Sequence, residues 1–262
     1  MKKKLIALAA CAALAMGLVA CTTATEEVVT DAQTEAVEAT EAQTEAQTEA
    51  QTEEVEIGVP TAMSYAEYMA AEVDTEVTLD VFVQATQSWY NGAINVYAAD
   101  EDGGYYFYNM TCSEEDAALL TEGTEILVTG YKSEWSGEIE LAEGATFSFV
   151  EGGTSYVAET VDVTEFVGTD TLADYMNQKV SFTDMTVEAV SYKGGEPGDD
   201  IYVTLSKDGT NVEFCLEYYL NGSDEDFYNT VGNLEEGATV DVECFLYWYE
   251  GADGHLTAVT VK

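Results

Sequence analysis

The stretch from Ser113 to Leu141 limits what this chain can fold into more than any other, because a second version of it runs from Ser223 to Leu256. Each copy reads in the same order: a capped short helix, a glycine stop, an alternating strand, an aromatic-Gly turn and another strand. Gly123, Val128, Trp135 and Gly137 hold the same relative places as Gly237, Val242, Tyr249 and Gly251. A length of 262 residues suits one large core or two small ones. The duplication decides for two. Its shared positions are caps, turn glycines and strand residues without a reactive group, so it speaks to architecture and not to a bound molecule.

The segments ahead of each copy extend the repeat. Ser64-x-x-Glu67 is a capping box that opens a short helix through Tyr68 and Met69, and Thr171-x-x-Asp174 before Tyr175 and Met176 is its counterpart. Val77, Leu79, Val81, Val83 and Ala85 then alternate with polar residues, as a half-buried strand requires. In the second copy Val180 and Phe182 change phase to Met185, Val187 and Ala189, which predicts a β-bulge near Asp184. Ile94, Val96 and Ala98 pair by pattern with Ile201, Val203 and Leu205. Asp102-Gly103 and Asp208-Gly209 mark hairpin turns into a third strand. Ser113 and, in the second copy, Ser223 to Asp226 read as helix N-caps with acids on the positive end of the helix dipole.

Three strands, a short helix and two strands in about ninety residues resemble an OB-fold, a five-stranded Greek-key barrel with a helix between strands three and four. The fold expected is all-β with short helices, as two tandem OB-fold-like barrels after a disordered tether. The divisions are 1–20, a lipoprotein signal peptide; 21–60, an acidic tether; 61–152, the first barrel; 153–170, a joint; and 171–262, the second barrel. An immunoglobulin-type sandwich is disfavoured because helix caps interrupt the strands at equivalent places in both copies. Tyr156, Val157, Val161 and Val163 in the joint suggest one extra strand.

At the N-terminus Lys2, Lys3 and Lys4 precede an apolar run that ends in Leu18-Val19-Ala20-Cys21. The order fits an export signal, and the run is too short for a comfortable transmembrane span. Leu-Val-Ala-Cys resembles the lipobox of bacterial lipoproteins, which implies lipidation at Cys21 and a lipid anchor on the extracytoplasmic face of the cell membrane. The following Thr/Glu/Gln/Ala segment includes TEAQTEAQTEAQTEE, with Glu41, Glu45, Glu49 and Glu53 at mutually repelling i,i+4 spacing. As flexible chain it reaches roughly 35 Å on average and about 130 Å at most. The whole resembles the tether-plus-OB surface lipoproteins of gut Firmicutes, a likeness carried by packing and turn motifs that implies fold and not activity.

The sequence holds 51 acids against 8 cations, all of them Lys, for a net charge of −43. Such a surface repels phosphate backbones, so nucleic-acid binding ranks third among the functions weighed. Catalysis is not expected, and neither is a cofactor. The single His, His255, sits in a terminal hairpin with no G-x-S-x-G nearby, and no CxxC or Cys/His cluster supports zinc. Asp100 to Asp102, Asp199-Asp200 and Asp224 to Asp226 offer oxygens to calcium, but none has the EF-hand spacing, and turns and caps account for each. Cys215 and Cys244 fall on opposite strand phases, so a bridge between them is not expected, and Cys112 leaves an odd number.

The aromatic residues are the surface of interest. Trp89, Tyr90, Tyr105, Tyr131, Trp135, Tyr247 and Tyr249 lie in loops or out of phase with the core positions, where OB-folds commonly bind ligands along the strand 2–3 face and its flanking loops. The leading expectation is a non-catalytic extracellular module that binds a glycan or protein. Its rival is a structural or assembly role in the envelope, through a strand edge or aromatic patch.

Overall fold

The computed structural model describes residues 61–262. The signal segment, Cys21 and the tether lie outside the described residues. Alternating apolar residues close two five-stranded barrels in succession. The first is built from β1 (Glu76–Thr86), β2 (Ala93–Ala99), β3 (Gly104–Thr111), β4 (Glu125–Trp135) and β5 (Glu138–Leu141), ordered β1-β2-β3-β5-β4 and closed by β1–β4 pairing. Helix α1 (Tyr65–Ala70) precedes it and α2 (Glu114–Ala117) stands between β3 and β4. A short β6 (Thr146–Phe149) adds to the outer edge of β4. After β7 (Val161–Asp162), which lies parallel to the next strand, come β8 (Lys179–Tyr192), β9 (Ile201–Lys207) and β10 (Thr210–Leu216). Helices α3 (Tyr218–Asn221) and α4 (Glu225–Gly232) follow, then β11 (Thr239–Trp248) and β12 (Ala252–Val261). The second barrel repeats the first in order, β8-β9-β10-β12-β11, with closure by β8–β11. In each barrel the third and fifth strands are parallel and the other barrel pairings antiparallel. That order and closure define two tandem OB-folds.

The barrel cores follow the sequence pattern. Val77, Leu79, Val81, Val83, Ile94, Val96 and Ala98 are buried in the first, and Val180, Phe182, Ile201, Val203 and Leu205 in the second. Each large apolar side chain so buried contributes roughly 1.5–3 kcal/mol. The bulge expected near Asp184 is present: two steps of β11, Val240 to Val242, face three of β8, Phe182 to Met185, and Asp184 takes a φ of 51°. A second bulge in β8 at Glu188 shifts the phase again. Ala189 therefore points to solvent, and Val190 packs on the core in its place.

Local signals differ where tertiary packing took over. Ser64 and Glu67 form the expected capping box, but Thr171 and Asp174 do not. Residues Asp170–Tyr175 are a 3-10 turn without a side-chain cap, held by buried Leu172 and by Phe166 stacked on Tyr175 at 5.4 Å. Asp224, not Ser223, caps α4 by accepting from the Phe227 N–H, and an additional helix, α3, precedes it under a cap from Glu217. In the joint only Val161–Asp162 is a strand. Tyr156 and Ala158 are held by Gln84, an outward residue of β1 that is buried all the same. Its Nε2 donates to the Tyr156 carbonyl at 3.2 Å and its Oε1 accepts from Ala158 N–H at 2.8 Å. Cys112, Cys215 and Cys244 are buried free thiols.

Lys132 of β4 is the least expected core element. Its Nζ is enclosed beneath α1 and donates to the carbonyls of Tyr68, Met69 and Ala71 at 3.0, 2.8 and 2.8 Å, with the Tyr68 ring 5.3 Å away. The ammonium thus satisfies carbonyls at the negative end of the helix, which leaves α1 held by side chains at both ends. Lys132→Met keeps the packing of the stem but leaves those carbonyls unpaired. We expect a loss of roughly 2–3 kcal/mol in unfolding free energy by denaturant titration; Glu134→Gln, exposed two residues further along the strand, should change it by less than about 0.5 kcal/mol.

Candidate functional site

In an OB-fold the outward face of strands two and three commonly meets ligand. In the first barrel that face carries Tyr97 and Tyr106, and the second barrel covers both. Tyr97 stacks on Phe245 of β11 with ring centroids 4.4 Å apart and 7° between planes, and Tyr106 meets the edge of Tyr247 at 5.3 Å. The Tyr97 hydroxyl bonds His255 Nδ1 of β12 at 2.8 Å, and Tyr247 stacks on the imidazole at 4.6 Å. The contact continues to the hairpins. Glu250 N–H donates to the Ser136 carbonyl at 2.8 Å. Gly137, at φ 96°, lets the first hairpin lie against Trp248, since a Cβ there would sit 2.9 Å from Trp248 Cδ1.

A pair of acids closes the other side of this interface. Glu138 is fully buried; its Oε2 accepts from Trp248 N–H at 2.8 Å and its Oε1 from Asn177 Nδ2. Burial pushes Glu138 up to about 8 in spite of those bonds, and Glu140 up to about 7. Burial also pushes Glu217 up to about 7, with Asp200 adding to it, while it lowers His255 to about 4.

What the second barrel leaves open is one end of the β2–β3 face. There Gln87, Ser88, Trp89 and Tyr90 of the β1–β2 connection, Ala93, Ile94 and Asn95 of β2 and Asn109 of β3 line a hollow of about 360 Å³, completed by Tyr219 from α3 of the second barrel. Tyr90 is 81% exposed and Tyr219 59%. Trp89 is half-buried, and its indole N–H donates to the Cys112 carbonyl at 2.8 Å, which anchors the ring. Asn95 organises the polar side: its Nδ2 donates to Gln87 Oε1 and its Oδ1 accepts from Asn109 N–H, each at 2.7 Å. The two barrels meet at the rim, where Ser88 N–H donates to the Tyr219 carbonyl at 2.8 Å. None of the lining residues carries a carboxylate or an ammonium.

The aromatic residues singled out from sequence therefore divide. Trp89 and Tyr90 share the hollow. Tyr105 is a core residue, fully buried with its hydroxyl donating to Asp100 Oδ2 at 2.6 Å, because its strand phase points inward. Tyr247 packs between the barrels and is not free to meet a ligand. Tyr131, Trp135 and Tyr249 are exposed at 54%, 60% and 52% on the hairpin side and do not line the hollow. Sequence reasoning missed Tyr219 and the amides of Gln87, Asn95 and Asn109. Tyr219 comes from the other barrel, and the amides look like ordinary strand surface until the register places them together. Among the described residues, no group of three or more His, Cys, Asp or Glu is placed to hold a metal ion, and no helix is long and apolar enough to cross a membrane.

No known family matches the chain, and no curated protein matches it. Among solved structures, the Ifi202 HINa domain in complex with 20bp dsDNA aligns with 72% of this chain and 96% of its own at 14% identity, TM-score 0.33. A murine DNA binding protein bound with ds DNA aligns with 71% and 94% at 11% identity, TM-score 0.35. A Replication Protein A heterotrimer bound to ssDNA aligns with 71% of this chain and 49% of that one at 14% identity, TM-score 0.30. The DNA is theirs; likeness this loose bears on neither site nor ligand here, and the fold rests on strand order and closure.

The buried acids set a pH dependence. A carboxyl whose folded pKa lies above its unfolded one is worth most to the fold below the ordinary carboxylate range and loses that worth as pH rises through the folded pKa. His255 works in the opposite sense, but only between about 4 and 6.5. Between pH 6.5 and 8 the acids act unopposed, so thermal stability should fall across that window, with Glu138 contributing roughly 1 kcal/mol per pH unit. Glu138→Gln should flatten the melting profile there; a slope unchanged in that variant would remove Glu138 as the cause.

Proposed function

We propose that this chain is a non-catalytic envelope lipoprotein, anchored through lipid on Cys21 at the extracytoplasmic face of the cell membrane, that takes an uncharged ligand in the Trp89–Tyr90 hollow. One observation carries the ligand reading: in a chain with 51 acids, the aromatic-lined hollow at the open end of a binding face has no charged residue in its wall. Aromatic rings and convergent amides are common in the wall of a small-molecule site, and a volume of about 360 Å³ falls at the lower end of the ~300–1,000 Å³ common for one. Phosphate-bearing ligands fit poorly, because neither Lys nor Arg stands in the wall to meet them.

A second reading draws on a different surface. The two hairpins joined through Glu250 and Ser136 expose Tyr131, Trp135 and Tyr249 away from the hollow. Aromatic residues of that kind suit contact with a partner protein, as an assembly role requires.

Both parts of the first reading are open to direct measurement. Full-length chain expressed in a bacterial host with radioactive fatty acid should be labelled and membrane-bound, and Cys21→Ala should lose both; label retained in the variant overturns the anchor. For the hollow, the Trp89 indole N–H resonance should shift on titration with members of a neutral small-molecule fragment set and stay fixed with anionic ones. Tyr90→Ala should abolish the shifts. A Trp89 signal that responds to no neutral fragment overturns the ligand reading.

A further inference from the structure

The geometry points to a neutral saccharide as the ligand of the Trp89–Tyr90 hollow, gripped jointly by the two barrels; we propose this as a refinement that rests on the uncharged-ligand reading above. Three features of the wall select sugar chemistry. The first is the aromatic pair. Tyr90 and Tyr219 are more exposed than the buried rings of either core, and neither belongs to a core cluster. Rings presented to solvent on a hollow offer apolar faces to the C–H face of a pyranose, a contact with little entropic cost because such side chains have only two rotatable angles.

The second feature is the arrangement of amides. A sugar hydroxyl donates one hydrogen bond and accepts others, and a planar carboxamide presents an acceptor and two donors side by side, so one amide can serve two neighbouring hydroxyls. Gln87, in the connection after β1, and Asn109 of β3 supply two such groups, with the Asn95 amide of β2 bonded between them. Asn95 holds the set rigid. Its carbonyl oxygen is engaged by Asn109 N–H and its Nδ2 by Gln87 Oε1, which leaves Gln87 Nε2 and the Asn109 side-chain amide without a protein partner among the described residues. Polar groups on two separate segments of the wall suit a ring whose hydroxyls radiate in several directions. A nucleobase presents its polar atoms along fewer edges and makes less use of them.

The third feature is charge. Uronic acids, sulfated sugars and nucleotides meet no cation in the wall and approach through the field of a chain at −43. Neutral hexose or pentose units pay neither cost. The volume accommodates one ring with part of its neighbour, so the hollow reads as a subsite for a chain end or a short oligomer.

Tyr219 makes the site a property of the packed pair. It is carried by α3, whose entry is fixed by Glu217 accepting from Leu220 N–H at 2.9 Å, and its carbonyl takes both the N–H and the hydroxyl of Ser88, at 2.8 and 3.2 Å. The floor of the hollow belongs to the first barrel and part of its rim to the second, so a bound sugar bridges them.

The test uses full-length protein in detergent, titrated with cello-, xylo-, manno- and malto-tetraose, with an oligogalacturonate and with adenosine. Trp89 indole N–H shifts report the site and calorimetry reports affinity. We expect at least one neutral tetraose to bind with a Kd of about 10 μM to 1 mM, the oligogalacturonate and adenosine not to bind, and Tyr90→Ala and Tyr219→Ala each to weaken binding about tenfold or more. Both residues are exposed, so melting temperatures should hold, and Tyr131→Ala should bind as the unaltered chain does. Saccharide binding that survives both variants places the sugar elsewhere and overturns the inference. A response of Trp89 to adenosine or to non-sugar neutral fragments, with none to the tetraoses, overturns the saccharide inference while the uncharged-ligand reading stands. No response to any neutral solute overturns both.

Discussion

The stack of Tyr97 on Phe245 is the contact on which the rest of the molecule turns. It commits the β2–β3 face of the first barrel, the one an isolated OB-fold would offer to a ligand, to the second barrel. Around it the Tyr97–His255 hydrogen bond, the Tyr106–Tyr247 contact and the acid Glu138 exclude water from the seam. A buried His and the buried carboxyl of Glu138 are tolerable there because each finds a hydrogen-bond partner across the seam, the Tyr97 hydroxyl and the Trp248 N–H. The consequence for function is geometric. Only the end of the face remains open, and the second barrel supplies part of its rim.

Charge shapes the remaining choices. A chain with 8 Lys and no Arg has few cations to place, and one of them, Lys132, is spent beneath α1 on carbonyl groups. Lys193 and Lys262 are paired with Asp199 and Asp200, and with Asp184 and Asp241. OB-folds that read nucleic acid line a groove with cations and rings. The hollow here has rings and amides but no cation in its wall, and the proposed neutral ligand rests on that.

Much of the fold was legible in the residues. Alternation gave the strands, the Ser64–Glu67 box gave α1, and the phase change at Asp184 marked a real bulge, since each of these is settled by neighbours along the chain. The misses share a cause. The expected cap at Thr171 gave way to Phe166–Tyr175 stacking, Ala189 was displaced by a second bulge, and Tyr105 turned inward with its strand phase. The candidate site was legible in only two of its residues, Trp89 and Tyr90. An amide such as Asn109 carries no local mark that distinguishes a site wall from strand surface, and Tyr219 stands 131 residues beyond Ser88, the residue it bonds.

By itself, then, the sequence determined the two barrels, their tandem order and the acidic, cation-poor surface. These follow from periodicity, turn residues and composition, which act over short stretches of chain. Only the tertiary structure decided which aromatic residues are surface, because exposure depends on how each barrel closes and on what the other barrel covers. Tyr105 and Tyr247 were withdrawn into packing, Trp89 and Tyr90 kept at a hollow, and Tyr219 brought to them by an interface formed between segments far apart in the chain.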